Sequence, residues 1–207
     1  MADPTSHYQQ MKTSLVRLYS TTEITSLYDS FEDENSAYLC LQHYKDGSLR
    51  ELALSEVGLL PMPEEETQKL MIMLSEIIYK LHKRRVLHGN INLNTILVKK
   101  SSRGARIKLS DFSRARLLKR ASLNPKLNGN KAPTLARKNK SVEQNILMQL
   151  SEDVFAVGLI GYMLMTGLPE TEHQVEPETI DFSDPIWATR SEACVDLLQS
   201  MLHPDAE

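Results

Sequence analysis

The side chains best able to do chemistry fall in two segments, His88-Gly89-Asn90-Ile91-Asn92-Leu93-Asn94-Thr95-Ile96-Leu97 and Ile107-Lys108-Leu109-Ser110-Asp111-Phe112-Ser113. They supply one imidazole, three amides, three hydroxyls and a single carboxylate, Asp111. An amide has no usable basicity near neutral pH, so Asn90 cannot serve as a general base. One carboxylate without phosphates or a second ligand is a poor magnesium site. The other histidines, His43, His82, His173 and His203 among them, show no metal-ligand spacing. His82 and His88 stand six apart across a helix end, which suits no common zinc pattern, and they read as ordinary surface or core residues.

At 207 residues the chain is long enough for one domain with a sizeable core. An apolar fraction of 41% and a charged fraction of 25% are those of an ordinary globular protein. The net charge of −3 gives no overall nucleic-acid signal. That balance conceals an asymmetry. Residues 99–140 hold 14 Lys/Arg against one acid, and residues 141–207 hold 13 Asp/Glu against one base, Arg190. The basic stretch has no aromatic residue between Ser113 and Gln149, so base stacking is unsupported and nucleic acid is not expected as a partner. Cys40 and Cys194 read as reduced, buried thiols of an intracellular protein. No signal peptide is visible at the N-terminus. The longest apolar run, Val154 to Leu168, is 15 residues, short of the roughly 20 needed to span a bilayer.

The elements that must position these groups follow from periodicity. Met11, Leu15 and Leu18 mark one helix face over Tyr8–Tyr19. Ile24–Phe31 and Ala37–Leu41, separated by polar Glu32–Ser36, predict a hairpin. Asp46-Gly47 breaks the chain and Ser48 caps a short helix to Leu54. Pro63 and three glutamates open a long helix with Leu70, Met73, Leu74, Ile77, Ile78 and Leu81 on one face, and Lys80, Lys83, Arg84 and Arg85 crowd its C-terminal end. Val86–His88, Ile96–Val98 and Arg106–Leu109 are short strand-like pieces, with a turn over Lys99–Gly104. Leu117–Lys140 predicts a long exposed loop. Ser151-Glu152-Asp153 caps an apolar helix to Met165, stopped by Gly167 and Pro169. After an acidic loop, Ser191–Leu202 forms a last amphipathic helix.

This order resembles the protein kinase fold from its regulatory C helix onward, and the two chemical segments resemble the kinase H-R-D-L-x-x-x-N loop and the D-F-G turn. Leu27–Glu34 and Tyr38–Leu41 look like the fourth and fifth N-lobe strands. Ser151–Pro169 is similar to the F helix, and Ile180–Trp187 resembles the segment before the last helices of calmodulin-dependent and polo-type kinases. The resemblance implies an α+β, mainly helical fold, with residues 1–41 a truncated N-lobe remnant (C helix plus two strands) and residues 42–207 a C-lobe ending before the last helix.

Kinase catalysis uses a glycine loop, a third-strand lysine, its partner Glu, a catalytic Asp and an Asn and an Asp on magnesium. On this resemblance the first two would precede residue 1, and Met11 or Gln10 takes the place of the C-helix Glu. Asn90 stands for the catalytic Asp, Asn92 for the lysine facing the γ-phosphate, Thr95 for the metal-binding Asn and Ser113 for the D-F-G glycine. Asp111 is the one retained metal-ligand position. Leu41 would be the gatekeeper and Gln42, His43 and Tyr44 the hinge. Ala132-Pro133-Thr134 resembles a remnant of the Ala-Pro-Glu motif. Leu15, Leu27, His88 and Phe112 would stack as the regulatory spine. Leu97 would floor the former adenine site, and Asp153 would accept hydrogen bonds from the backbone around His88.

The expected protein is therefore a pseudokinase, an allosteric or scaffolding module with no catalytic residues, no ATP or magnesium cofactor and no membrane association. A two-stranded hairpin alone is marginal in water, so either a partner covers Ile24–Leu41 or the C helix packs well enough to hold it; a protein partner, a kinase or kinase substrate, is expected. The expected location is the cytoplasm or nucleus. Leu118-Lys119-Arg120-Ala121-Ser122-Leu123 has the form that basic-directed kinases phosphorylate, which makes Ser122 a candidate modification site. The alternatives are a degenerate Ser/Thr kinase with residual ATP-dependent phosphotransfer and a truncation product without function.

Overall fold

The computed structural model describes residues 4–55, 60–100, 102, 104–118, 132–167 and 180–203. The fold is α+β and mainly helical. In chain order the elements are α1 (Pro4–Arg17), β1 (Leu27–Glu32), β2 (Ala37–Leu41), α2 (Leu49–Ser55), α3 (Glu64–Lys83), β3 (Val86–Leu87), β4 (Ile96–Lys99), β5 (Arg106–Leu109), β6 (Arg116–Leu117), α4 (Ala132–Thr166) and α5 (Glu192–Leu202). Single 3₁₀ turns lie at Phe112–Arg114 and Pro185–Thr189. The strands form three antiparallel pairs, β1–β2, β3–β6 and β4–β5.

The long helix α3 forms because its apolar residues repeat at helical spacing. In α3 the buried face is Leu70, Met71, Leu74, Ile77, Ile78 and Leu81, with Thr67 at its start. Met71 takes the core position expected of Met73, which is only partly buried. That stripe packs against α4, which also contacts α5 and β3. Glycines allow the close approach. A Cβ at Gly158 would lie 2.8 Å from Cβ of Met201, and one at Gly161 would lie 2.5 Å from the Met71 sulfur. Ser48 and Glu51 form a reciprocal cap at α2. The Glu51 N–H donates to the Ser48 hydroxyl at 3.2 Å, and the Ser48 N–H donates to the Glu51 carboxylate at 2.7 Å.

Two expectations are corrected. The loop expected over Leu117–Lys140 gives way at Ala132, where α4 begins, so Ser151-Glu152-Asp153 lies inside a helix and does not cap one. Pro133 in the first turn is compatible with a helix start. After it, residues 135–150 lack Gly and Pro and are rich in strong helix formers, which outweighs their weak amphipathic period. Cys40 is exposed, because β2 turns it to the same face as Tyr38, away from the side packed by Leu39 and Leu41; Cys194 is half-buried. The amphipathic helix expected over Ser191–Leu202 is α5, with Leu198 and Leu202 buried and Leu197 exposed. Ser122 and His173 lie outside the described residues. No helix among the described residues is long and apolar enough to cross a membrane.

Candidate functional site: a kinase-like loop closed on itself

The site is built where the turn after β3 meets the turn after β5. Gly89 has φ +70°, and a Cβ there would sit 3.0 Å from the Arg114 carbonyl oxygen, so a side chain would be strained in both respects. The carboxylate of Asp153, buried within α4, accepts the N–H groups of His88 and Gly89, each at 2.9 Å. His82, near the end of α3, lies 2.9 Å from the same carboxylate through Nε2. This histidine is largely buried, the second of the two placements its sequence left open. Its distance in sequence from Asp153 left no local signal of the pairing.

The His88 ring is fully buried and meets Phe112 edge-on, with ring centroids 4.7 Å apart. Its Nε2 lies 2.9 Å from the Ser110 carbonyl, and its Nδ1 accepts the Asn90 N–H at 3.2 Å. Those partners fix the neutral Nε2–H tautomer. Burial holds the His88 pKa below the usual histidine value, although the Asp153 charge and the Ser110 carbonyl oppose the shift. Leu15 and Phe112 belong to the same buried core, Leu27 packs at its margin, and α1 rests directly on the Phe112 turn.

Asn90, Asn92, Thr95 and Asp111 bond to one another. The Asn90 amide donates to Oδ2 of Asp111 at 2.6 Å. The Asn92 amide donates to the Asn90 carbonyl at 3.1 Å, and its oxygen accepts the Asn94 N–H at 2.9 Å. The Thr95 hydroxyl, 4% exposed, accepts the Asn92 N–H at 3.0 Å and has the carbonyls of Asn90 and Asn92 as acceptors at 3.1 and 3.0 Å. Asp111 takes a left-handed conformation, φ 57° and ψ 70°, and its Oδ1 accepts the Ser113 N–H at 3.3 Å. Sequence reasoning named each of these residues but not the contact between Asn90 and Asp111, which are 21 positions apart.

Beside this network lies a cleft of about 350 Å³ whose lining includes Asn90, Asn92, Arg114 and Glu152. Glu152 pairs with Arg116. Leu97 sits apart, lining an open hollow with His43 and Tyr44 beside α2. The Tyr44 hydroxyl donates to the Gln42 side chain at 2.5 Å, and burial raises the Tyr44 pKa. Leu41 pairs with Leu27 across the β1–β2 ladder, and Met11 packs against the core from α1. Among the described residues no group of three or more His, Cys, Asp and Glu side chains could hold a metal ion.

A protein kinase domain profile matches residues 5–207. Serine/threonine-protein kinase DCLK3 of Mus musculus is 23% identical over 202 residues, 92% of this chain and 24% of that protein. Calcium-dependent protein kinase 7 of Arabidopsis thaliana is 26% identical over 193 residues, 88% of this chain and 34% of that protein. Meiosis-specific serine/threonine-protein kinase mek1 of Schizosaccharomyces pombe is 28% identical over 150 residues, 68% of this chain and 34% of its own length. The chain thus spans about a quarter to a third of the length of these curated relatives. A match over nearly the full sequence, together with the His88 and Asp111 turns packed as described, places it: the chain belongs to the protein kinase domain family.

Proposed function

We propose that this chain is a catalytically silent protein kinase-like module that acts by binding a protein partner, as a scaffold or an allosteric subunit. The observation that carries the reading is Asn90. It stands where the resemblance puts the catalytic base, and its amide is committed as a donor to Asp111. A general base must accept the proton of the attacking hydroxyl, and an amide cannot. Asn92 and Thr95 stand where a phosphate-facing lysine and a metal-binding amide would be needed, and both are bonded within the loop. Removing a single electrostatic element typically costs roughly 100- to 1,000-fold in rate, and here several are substituted together.

The surface proposed for the partner is the outer face of β1–β2. Phe31 and Tyr38 stack there with centroids 4.9 Å apart while half exposed, and Tyr28 of the same strand as Phe31 is also exposed. Aromatic side chains presented this way are typical anchors of protein interfaces. The module is proposed to work in the cytoplasm or nucleus, without ATP or magnesium, and with a kinase or a kinase substrate as partner. The test is affinity capture from cells with the wild-type chain and a Phe31→Ser/Tyr38→Ser variant. A partner held by wild type, lost by the variant and indifferent to ATP depletion supports the reading; identical captures from both proteins contradict it.

A second reading, a degenerate Ser/Thr kinase with residual phosphotransfer, is favoured by the retained Asp111 carboxylate and by relatives that carry kinase names. It requires turnover that depends on Asp111.

A further inference from the structure

In this family a magnesium ion would sit between the Asp111 turn and the loop of Asn90 to Thr95. The residues here do not fit one. Magnesium requires near-octahedral oxygen ligation at roughly 2.0–2.1 Å. Oδ2 of Asp111 instead faces an N–H donor, the Asn90 amide, at 2.6 Å. A donor and a cation compete for the same lone pairs. The orientation of that amide is supported from its other end, where its oxygen lies 3.4 Å from the Asn92 side-chain nitrogen. The second ligand position, Thr95, is turned inward, with its hydroxyl engaged by the backbone of Asn90 and Asn92.

We propose that Asn90 is a positioning residue that takes the cation's place, tying the loop to the Asp111 turn so that the site assembles without metal or nucleotide. This rests on the reading above that Asn90 occupies the catalytic-base position. Beyond the β4–β5 ladder and the Ser110 N–H to the Thr95 carbonyl, side chains join the two segments through His88 to the Ser110 carbonyl, the Ser110 hydroxyl to the Thr95 carbonyl and Asn90 to Asp111. Of these, Asn90 to Asp111 is the one made to the left-handed residue itself. A non-glycine residue held at positive φ costs about 1 kcal/mol or more and persists only when its surroundings fix it. Asp111 has two such contacts, the Asn90 amide on one oxygen and the Ser113 N–H on the other. Its conformation directs Phe112 onto His88, and α1 packs on that turn. The amide therefore holds the α1 side of the molecule in one arrangement at all times, where a cation would make that arrangement conditional. The surface proposed for a partner is presented constitutively.

The test compares thermal unfolding of the wild-type chain, Asn90→Asp and Asn90→Ala in EDTA, magnesium chloride and calcium chloride. Asn90→Asp sets two carboxylates against each other, an arrangement that demands a proton or a cation. The wild-type midpoint is expected to be the same in all three solutions. Asn90→Asp is expected to fall by several degrees in EDTA and to recover part of that loss with either cation. Asn90→Ala is expected to fall and not recover. Hydrogen exchange supplies a second measurement: peptides covering residues 110–114 are expected to exchange in wild type at the same rate with and without magnesium and ATP. Saturable stabilisation of the wild type by magnesium, or faster exchange on its removal, would overturn the proposal even if neither variant accumulates. So would an Asn90→Asp chain as stable as wild type in EDTA with no cation response. A wild type that ignores cations yet transfers phosphate would sink the silent-module reading while leaving this one standing.

Discussion

The buried carboxylate of Asp153 accepts the backbone N–H of His88 at 2.9 Å across 65 residues of sequence. It does the same for Gly89 and also holds His82, so one side chain fastens α3, the turn after β3 and α4 together. Replacing it with alanine leaves two N–H groups without their acceptor in a buried site. Each such orphan costs about 1–3 kcal/mol. Asp153→Ala is expected to lower the unfolding free energy by about 3–5 kcal/mol in urea denaturation, and Asp153→Asn, which keeps one acceptor, by less. A loss under about 1 kcal/mol would show that the carboxylate is not the fastener described.

His88 makes stability depend on pH in a defined window. Burial lowers its folded pKa below the ordinary histidine value of about 6.5. The unfolded chain therefore takes up a proton that the folded chain refuses, and this favours unfolding as acid is added. The stability His88 protects is complete above about pH 6.5 and is lost as pH falls through that value toward the lower folded pKa. Urea midpoints measured from pH 8 to pH 5 are expected to drop for wild type and to flatten in this range for His88→Gln. Parallel curves for the two proteins would contradict the assignment.

The two glycines of α4 are expected to differ. An alanine at Gly161 meets the Met71 sulfur and a Leu198 methyl, the ends of flexible side chains. An alanine at Gly158 meets Cβ of Met201, which cannot swing aside. The helix propensity gained is about 1 kcal/mol in both cases, while overpacking costs about 1–3 kcal/mol. Gly161→Ala is expected to stay within about 1 kcal/mol of wild type and Gly158→Ala to lose about 1–2 kcal/mol. The reverse ranking in thermal or chemical unfolding would refute the packing argument.

What the sequence conveyed well was whatever depends on local periodicity or local chemistry. The α3 face, the Ser48–Glu51 cap and the β4–β5 hairpin are each determined by residues within a few positions of one another. The resemblance to the family rested on several segments in order, those around Asn90 and Asp111 among them, with no one of them decisive. What was hidden depends on partners far apart in the chain. His82 could be read as surface or core, because its acceptor is 71 positions away. Cys40 looked buried because its neighbours are apolar, and only strand alternation in β2 turns it outward. The start of α4 at Ala132 was masked by a basic, weakly periodic stretch whose helix-forming tendency outweighs that pattern. The Asn90–Asp111 bond needed the fold itself, since either residue alone reads only as a substituted or a retained motif position.

The central claim is that the loop carrying Asn90 no longer performs phosphoryl transfer. The most direct measurement is phosphate transfer from radiolabelled ATP, with magnesium, to the purified chain and to generic basic and acidic protein substrates. The same preparation of Asp111→Ala serves as the blank. The account predicts that wild type and blank are indistinguishable. Reproducible turnover by wild type that disappears in Asp111→Ala would contradict it and make this chain an enzyme.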